Sequence, residues 1–228
     1  ELETEQRKLY LAAVVDAREK LRAAKPEDKM TVFAVLMRLR EICCDPRLVA
    51  DNWTGSSAKL EACLELVTEA VAGGHRILLF SQFTSMLELL AKRLDEAGVS
   101  HFTLQGSTPK PVRAEQVRRF NQGEADVFLI SLRAGGTGLN LTAADIVIHY
   151  DPWWNLAAQN QATDRAYRIG QRNPVQVYRL IAQDTIEEKI VELQQAKQLL
   201  ADTVTGGADG AILSMNPEQL LQLLGEEA

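Results

Sequence analysis

Hydrophobic residues recur at helical spacing near both ends of the chain and in short unbroken runs between them. Near the start, the helical spacing covers residues 2–22, 31–43 and 57–71. Near the end, it covers residues 185–200 and 217–224. The pattern therefore predicts helical segments on both sides of a differently built centre.

In the centre, short apolar runs alternate with amphipathic stretches. The apolar runs that predict strands are 76–81, 100–104, 126–131, 146–150 and 175–181. The stretches between them that predict helices are 84–97, 111–121 and 155–169. Apolar strands separated by helices are typical of a parallel sheet covered on both faces. The predicted fold class is therefore α/β, with flanking helices.

Polar and turn-forming residues indicate where segments begin and end. The stretch DNWTGSS at 51–57 is the strongest boundary candidate, and Asp184 precedes the last long helical pattern. We therefore expect three segments, 1–50, 51–184 and 185–228. The Glu-Glu-Lys run at 187–189 is expected to be a solvated helix face.

Composition narrows the location and the chemistry. No apolar run is long enough to span a membrane, and three cysteines give no disulfide framework and no zinc motif. The chain does not begin with Met. We expect an intracellular fragment of a longer protein, without a metal site of its own.

Charge is unevenly distributed along the chain. The net charge is −6, yet residues 105–180 carry nine Lys or Arg against six Asp or Glu, a local balance of +3. A locally basic face could contact nucleic acid, but charge alone leaves this undecided.

Small, polar or glycine residues follow four consecutive predicted strands. They occupy residues 81–82, 105–108, 133–138 and 151–155. In open parallel sheets, ligands bind beyond the carboxyl ends of the strands. Four such ends together favour a binding edge, although every α/β domain has loops there.

The densest of these stretches is a glycine turn. Gly135, Gly136 and Gly138 could present backbone N–H groups to an anion. Leu141 stands where a dinucleotide fingerprint needs its third glycine, and no P-loop Lys-Ser/Thr follows. On pattern alone, a phosphate site and a flexible connection remain equally favoured.

The predicted helix at 155–169 carries Gln161, Asp164, Arg165 and Arg168 at one-turn spacing. The ordinary interpretation is a solvated face with an ion pair. The alternative starts from the planar guanidinium fork, which suits phosphate oxygens. Two arginines one turn apart could reach one triphosphate in the arginine-finger role.

Four other residues have a core interpretation. Of Trp153 and Trp154, one is expected to pack against the sheet, while an exposed indole could stack on a base. His149 lies within a predicted strand, and Cys63 lies on the apolar side of its helix, so both are expected in the core.

Four motifs carry a resemblance to a known family. ILLFSQF (77–83), LQGSTP (104–109), ISLRAGGTGLNL (130–141) and QATDRAYRIGQ (161–171) resemble, in order and spacing, the C-terminal motor motifs of Swi/Snf-type ATPases. These are double-stranded DNA translocases of helicase superfamily two. The resemblance covers roughly residues 60–200 and implies the second of two RecA-like lobes of a DNA-dependent ATPase.

The resemblance also implies roles for individual residues. Arg165 and Arg168 match the paired arginines that reach across to ATP held by the first lobe. The residues expected to border the nucleotide are Gly136, Gly138, Asn140 and Gln161. The residues expected near DNA are Gln105, Gly106, Ser107, Arg133, Gly135 and Trp154.

The flanking segments gain roles from the same resemblance. Residues 1–50 look like the helical region that joins the two lobes, and residues 185–228 look like brace helices. The chain has neither GxxxxGK[ST] nor a DE-x-H box. The resemblance therefore implies ATP with Mg²⁺ whose ligands lie on a missing first lobe, and an isolated chain without activity. The expected partners are double-stranded DNA, that first lobe and a DNA-bound protein complex.

Two departures and two rival interpretations accompany the resemblance. Tyr167 stands where the family often has His, and Leu156 where it commonly has Pro, but the arginine spacing is intact. One rival is a strand-separating or RNA helicase lobe, which the Arg-Ile-Gly-Gln ending disfavours. The other is a DNA- or protein-binding lobe without ATPase use, which the presence of both arginines disfavours.

Overall fold

A computed structural model describes the structure of residues 1–135, 139–153, 174–201 and 215–225. The chain divides into two compact units. Among the described residues, the first unit contains 1–59, 181–201 and 215–225, and the second contains 60–153 and 174–180.

Helices and strands follow the predicted order. The helices are α1 (Thr4–Ala23), α2 (Lys29–Cys44), α3 (Ala58–Ala72), α4 (Thr84–Glu96), α5 (Lys110–Asn121), α6 (Leu132–Gly135), α7 (Ile186–Ala201) and α8 (Pro217–Leu223), with a 3-10 helix at Pro46–Leu48. The strands are β1 (Ile77–Ser81), β2 (His101–Leu104), β3 (Val127–Ser131), β4 (Ile146–His149) and β5 (Gln176–Arg179). The predicted strands are present, and the predicted helices are too, apart from 155–169, which lies outside the described residues.

The five strands form one parallel sheet in the order β2-β3-β1-β4-β5, as the alternating pattern predicts. Every residue of β1, β3 and β4 is buried, whereas β2 and β5 are partly exposed edge strands. Since successive strand residues face opposite sides, full burial means that both faces of the central strands are covered.

Residues 132–135 differ from the prediction. They were expected to begin the glycine turn, but they form α6, one turn of helix directly after β3. The side chain of Ser131 explains the difference, because its Oγ accepts a hydrogen bond of 3.3 Å from the backbone N–H of Ala134. This is the capping geometry that starts a helix, so the prediction of a loop here was wrong.

The first unit is helical, and its core is formed by α1, α2, α7 and α8. Along α1 the buried apolar residues Tyr10, Val14, Ala17 and Leu21 follow the helical period and define the face that packs. Arg18 of α1 also contacts the residue that follows α8. Its guanidinium donates a hydrogen bond of 2.6 Å to the carbonyl of Leu224 and so satisfies a backbone acceptor at the end of that helix.

The expectation of a solvated face at 187–189 was wrong for Glu187. Its side chain is fully buried and forms an ion pair with Lys59, in the first turn of α3. It also accepts a hydrogen bond of 2.9 Å from the backbone N–H of Ala182. Charge-rich sequence usually indicates solvent, but here a partner 128 residues away in sequence compensates the buried carboxylate.

Two core predictions are confirmed, since Cys63 and His149 are both buried. Among the described helices, none is long and apolar enough to cross a membrane.

Candidate functional site

The carboxyl ends of the sheet's central strands lie level with each other. Ser81, the last residue of β1, is the register partner of Ser131, the last residue of β3. On the other side of β1, Phe80 pairs with His149, the last residue of β4. The stretches that follow these strands therefore leave the sheet at one edge, as predicted.

Asp151 ties two of these strand ends together. Its Oδ1 accepts hydrogen bonds from the Oγ of Ser81, at 2.6 Å, and from the backbone N–H of Gln82, at 3.1 Å. The carboxylate is only 1% exposed. A buried carboxylate that accepts from both a hydroxyl and an amide fixes its neighbours firmly, so the exits of β1 and β4 are held in place.

The turn after β2 is closed on itself and open to solvent. The backbone N–H of Gln105 donates to Thr108 Oγ1 at 3.0 Å, and the N–H of Thr108 donates to the Gln105 carbonyl at 3.1 Å. Gly106 and Ser107, between them, are exposed. A Cβ built on Gly106 would meet nothing within 4 Å, so its backbone is open to close approach by a ligand.

The residues after β3 are held by α5. Arg133 and Gly135 lie in α6, between the end of β3 and the glycines at 136 and 138. Arg113 of α5 donates a hydrogen bond of 3.4 Å from Nη1 to the carbonyl of Ala134. The approach to the glycine turn is therefore in contact with α5.

Beyond the glycine turn in sequence, Asn140 is held by a side chain of α5. Leu139 and Leu141 are buried in the sheet's core, and Asn140 between them is exposed. Asn121 donates from Nδ2 to the Asn140 carbonyl at 2.8 Å and accepts at Oδ1 from the N–H of Ala143 at 3.3 Å. Sequence reasoning missed Asn121, because it reads only as the last residue of a predicted helix.

Several predicted site residues lie outside the described residues: Gly136, Gly138, Trp154, Gln161, Arg165 and Arg168. Their assigned roles stay predictions, as do those of the described members of the set. Trp153, by contrast, packs against the sheet's core, as expected for one of the two tryptophans. In the described part of the chain, no group of three His, Cys, Asp or Glu side chains could hold a metal ion.

The histidine at this edge is a neutral core residue. Burial, together with the nearby Arg179 charge, lowers the pKa of His149 from its ordinary value to about 4. Its ring stacks on Phe80, with the ring centroids 5.6 Å apart. His149 thus packs under the site and is uncharged at neutral pH.

Comparison with known proteins first identifies the class of protein to which the chain belongs. Residues 58–170 match the family described as helicase conserved C-terminal domain. The C-terminal domain of the Sulfolobus solfataricus SWI2/SNF2 ATPase has a similar structure, with a TM-score of 0.80 and 27% identity over 100% of this chain and 96% of that one. The sheet and these matches define a RecA-like helicase C-terminal lobe.

The particular family follows from the same motifs and comparisons: the chain belongs to the Swi/Snf-type ATPases of helicase superfamily two. It is 39% identical over 229 residues to the putative ATP-dependent helicase/translocase YwqA of Bacillus subtilis, covering 97% of this chain and 25% of that protein. The Sulfolobus solfataricus SWI2/SNF2 ATPase core in complex with dsDNA matches with a TM-score of 0.81 and 29% identity, over 100% of this chain and 49% of that one. The predicted family and RecA-like fold are confirmed.

Proposed function

We propose that this chain is the second motor lobe of a DNA-dependent ATPase that translocates on double-stranded DNA. It spans 25% of the length of its Bacillus relative, so the complete motor includes much more chain. One observation carries the proposal: the turn at 105–108, α6 and the segment around Asn140 follow neighbouring strands of one parallel sheet. These are the stretches that the family uses for DNA and nucleotide.

The two lobes have different roles in binding ATP, and the motifs of this chain indicate which role is its own. Its sequence contains no P-loop lysine and no DE-x-H box, so ATP and Mg²⁺ are bound mainly by the first lobe. Arg165 and Arg168 reach the phosphates from the opposite side. Their guanidinium groups stabilise the negative charge that develops on the transferring γ-phosphoryl group. Asn140 borders the nucleotide, and its exposed position leaves it accessible to one.

DNA is held through its backbone. Gln105, Gly106 and Ser107 form a turn whose residues 106 and 107 are exposed, with room for a phosphate at Gly106. Arg133, Gly135 and Trp154 are the other residues to which we assign DNA contact. Backbone contacts bind with little sequence preference and weaken as salt rises. A related ATPase core has been solved with dsDNA, which supports this choice of substrate.

The test uses the full-length protein. ATP turnover is measured alone and with double-stranded DNA, single-stranded DNA or RNA, and translocation is measured by displacement of a third strand from a triplex. Arg165→Ala and Arg168→Ala should each lower the DNA-stimulated kcat by about 10³-fold or more, as loss of an arginine finger does. Arg172→Ala, which removes an arginine outside the pair, is the matched control.

The rivals predict other outcomes. Turnover stimulated by RNA, or separation of duplex strands, would indicate a helicase lobe. DNA binding without any ATP turnover in the unaltered protein would indicate a binding module. Unchanged turnover in both arginine variants would refute the arginine-finger assignment.

A further inference from the structure

Helix α5 connects two parts of the proposed site. It begins at Lys110, directly after the exposed turn at 105–108, and ends at Asn121. The turn belongs to the proposed DNA surface, and Asn140 to the proposed nucleotide surface. One helix of 12 residues therefore starts at the first and ends in contact with the second.

This helix contacts the backbone at two places, Ala134 and the segment from Asn140 to Ala143. Arg113 donates to the Ala134 carbonyl at 3.4 Å. Asn121 donates to the Asn140 carbonyl at 2.8 Å and accepts from the Ala143 N–H at 3.3 Å. The two side chains are eight residues apart, so about 12 Å of helix separates their attachment points. In sequence, residues 135–139 lie between these contacts and include Gly135, Gly136 and Gly138.

The attachment of α5 to the core is concentrated at its C-terminal end. Phe120 is the buried residue of this helix, and its ring lies 5.3 Å from that of Phe128 in β3. Asn121 follows immediately. Val117, one turn earlier, packs half-buried against the same core, whereas residues 110–115 are exposed apart from half-buried Arg113. A helix fixed in one half can change its tilt when a ligand contacts the other end. Such a tilt would move the Arg113 contact more than the Asn121 contact.

We propose that Arg113 and Asn121 position the backbone at Ala134 and at Asn140, so that α5 transmits DNA contact at 105–107 to ATP turnover. The inference rests on the proposed function, since it assigns the DNA stimulation of that motor to named side chains. Asn121 is a positioning residue: its amide fixes the backbone at the Asn140 carbonyl and at the Ala143 N–H, and it is not assigned a contact with the reacting phosphate.

The amide of Asn121 is matched to its two partners. Its NH₂ group faces a carbonyl and its oxygen faces an N–H, so each end has the partner it requires. Asn121→Ala removes both contacts. Asn121→Asp keeps an acceptor for Ala143 but places a carboxylate oxygen against the Asn140 carbonyl. Since Asn121 is exposed, neither change leaves a buried polar group or a cavity.

The experiment compares full-length variants at saturating ATP. For each variant, kcat is measured with and without saturating double-stranded DNA, and Kd for DNA is measured separately. Gln122→Ala is the matched control. Gln122 is the next residue and is also exposed, and its Oε1 accepts a hydrogen bond from Arg118 of the same helix. Hydrogen exchange of the Ala143 amide reports directly on its hydrogen bond to Asn121, and the thermal unfolding midpoint reports on folding.

We expect Asn121→Ala to lower the ratio of stimulated to basal kcat roughly tenfold. Its Kd for DNA should stay within about twofold of the parent value, because the DNA surface is intact. The Ala143 amide should exchange faster in Asn121→Ala and at nearly the parent rate in Asn121→Asp. Gln122→Ala should match the parent in each measurement.

Three results would overturn the proposal. An unchanged ratio of stimulated to basal kcat in Asn121→Ala would show that the hydrogen bonds of Asn121 do not transmit DNA binding to ATP turnover. A loss of DNA affinity equal to the loss of turnover would make Asn121 part of the DNA surface. An equal loss in Gln122→Ala would attribute the effect to the helix end in general. Absence of any DNA stimulation in the parent protein would instead refute the proposed function itself.

Discussion

The hydroxyl of Ser81 donates a hydrogen bond of 2.6 Å to Oδ1 of Asp151. Ser81 ends β1, and Asp151 follows β4, so the bond joins two strand ends that are 70 residues apart in sequence. Both side chains are buried. The edge from which the proposed site projects is therefore fixed by a polar contact in addition to the apolar core.

Replacing the carboxylate of Asp151 by an amide should weaken this edge. In Asp151→Asn, one oxygen can still accept, but the NH₂ group faces donors, since both Ser81 Oγ–H and Gln82 N–H point at the side chain. A mismatched buried polar group costs about 1–3 kcal/mol, so the free energy of unfolding should fall by that amount in urea titrations.

The exposed Asp95 provides the control, and Asp95→Asn should have little effect. The double variant Ser81→Ala/Asp151→Asn should lose less than the sum of the two single losses, because the two groups share one interaction. Strict additivity would contradict the coupling of Ser81 to Asp151.

Sequence reasoning located the elements but not all of their contacts. The apolar runs of β1 and β3 were sufficient to predict buried parallel strands, and the polar ends of those strands were the basis for predicting a binding edge. The hydrogen bonds of Asn121 to Asn140 and Ala143 could not be predicted, because they depend on where the end of α5 lies in space. Glu187 was misassigned for the same reason: nothing near it in sequence reveals Lys59. Local side-chain capping by Ser131 was available in the sequence but was missed.

The stability of the chain should depend on pH through His149. The folded state keeps this residue neutral down to about pH 4, whereas an unfolded histidine takes up a proton near its ordinary pKa. Between those values the unfolded state binds more protons, so stability is lost as pH falls from about 6.5 toward 4 and the loss levels off below. A pKa difference of this size corresponds to roughly 3 kcal/mol.

His149→Phe is the variant that isolates this effect, because it keeps an aromatic ring beside Phe80 and cannot titrate. Urea unfolding at several pH values should give a flatter profile for the variant than for the parent over the same interval. Parallel profiles would show that carboxylates alone cause the acid sensitivity.

The buried ion pair of the first unit should be costly to break from one side. Burial is the largest single influence on Lys59 and lowers its pKa, but the charge and hydrogen bond of Glu187, together with the neighbouring Cys44 and Cys43, raise the pKa above its ordinary value. Lys59 is therefore charged. Lys59→Met leaves the fully buried Glu187 without the ammonium group that compensates it, which should lower the free energy of unfolding by about 3–5 kcal/mol.

Lys59→Met/Glu187→Gln should recover part of that loss. The double variant buries no charge, and the glutamine oxygen can still accept from the Ala182 N–H. Equilibrium unfolding of both single variants and the double variant gives the coupling energy. A double variant less stable than Lys59→Met would contradict the compensation argument.

Replacement by alanine should affect the stability of the protein differently at two glycines. Gly123 has a φ of +85°, and the guanidinium of Arg76 would have to move to admit a Cβ there. Gly123→Ala should therefore lower the free energy of unfolding by about 1 kcal/mol, chiefly because an L side chain is unfavourable at this φ. Since Gly123 lies two residues after Asn121, this variant is used to measure stability and not ATP turnover.

Gly106→Ala tests that surface without disturbing the lobe. Its φ lies outside the left-handed region, and an added methyl group meets no protein atom within 4 Å, so stability should be unchanged. If a DNA phosphate approaches this backbone, the methyl group would stand between them and remove a hydrogen bond to a charged acceptor. The affinity of the full-length protein for double-stranded DNA should then fall roughly tenfold. Unchanged Kd in Gly106→Ala, measured by fluorescence anisotropy at fixed salt, would remove Gly106 from the proposed contact.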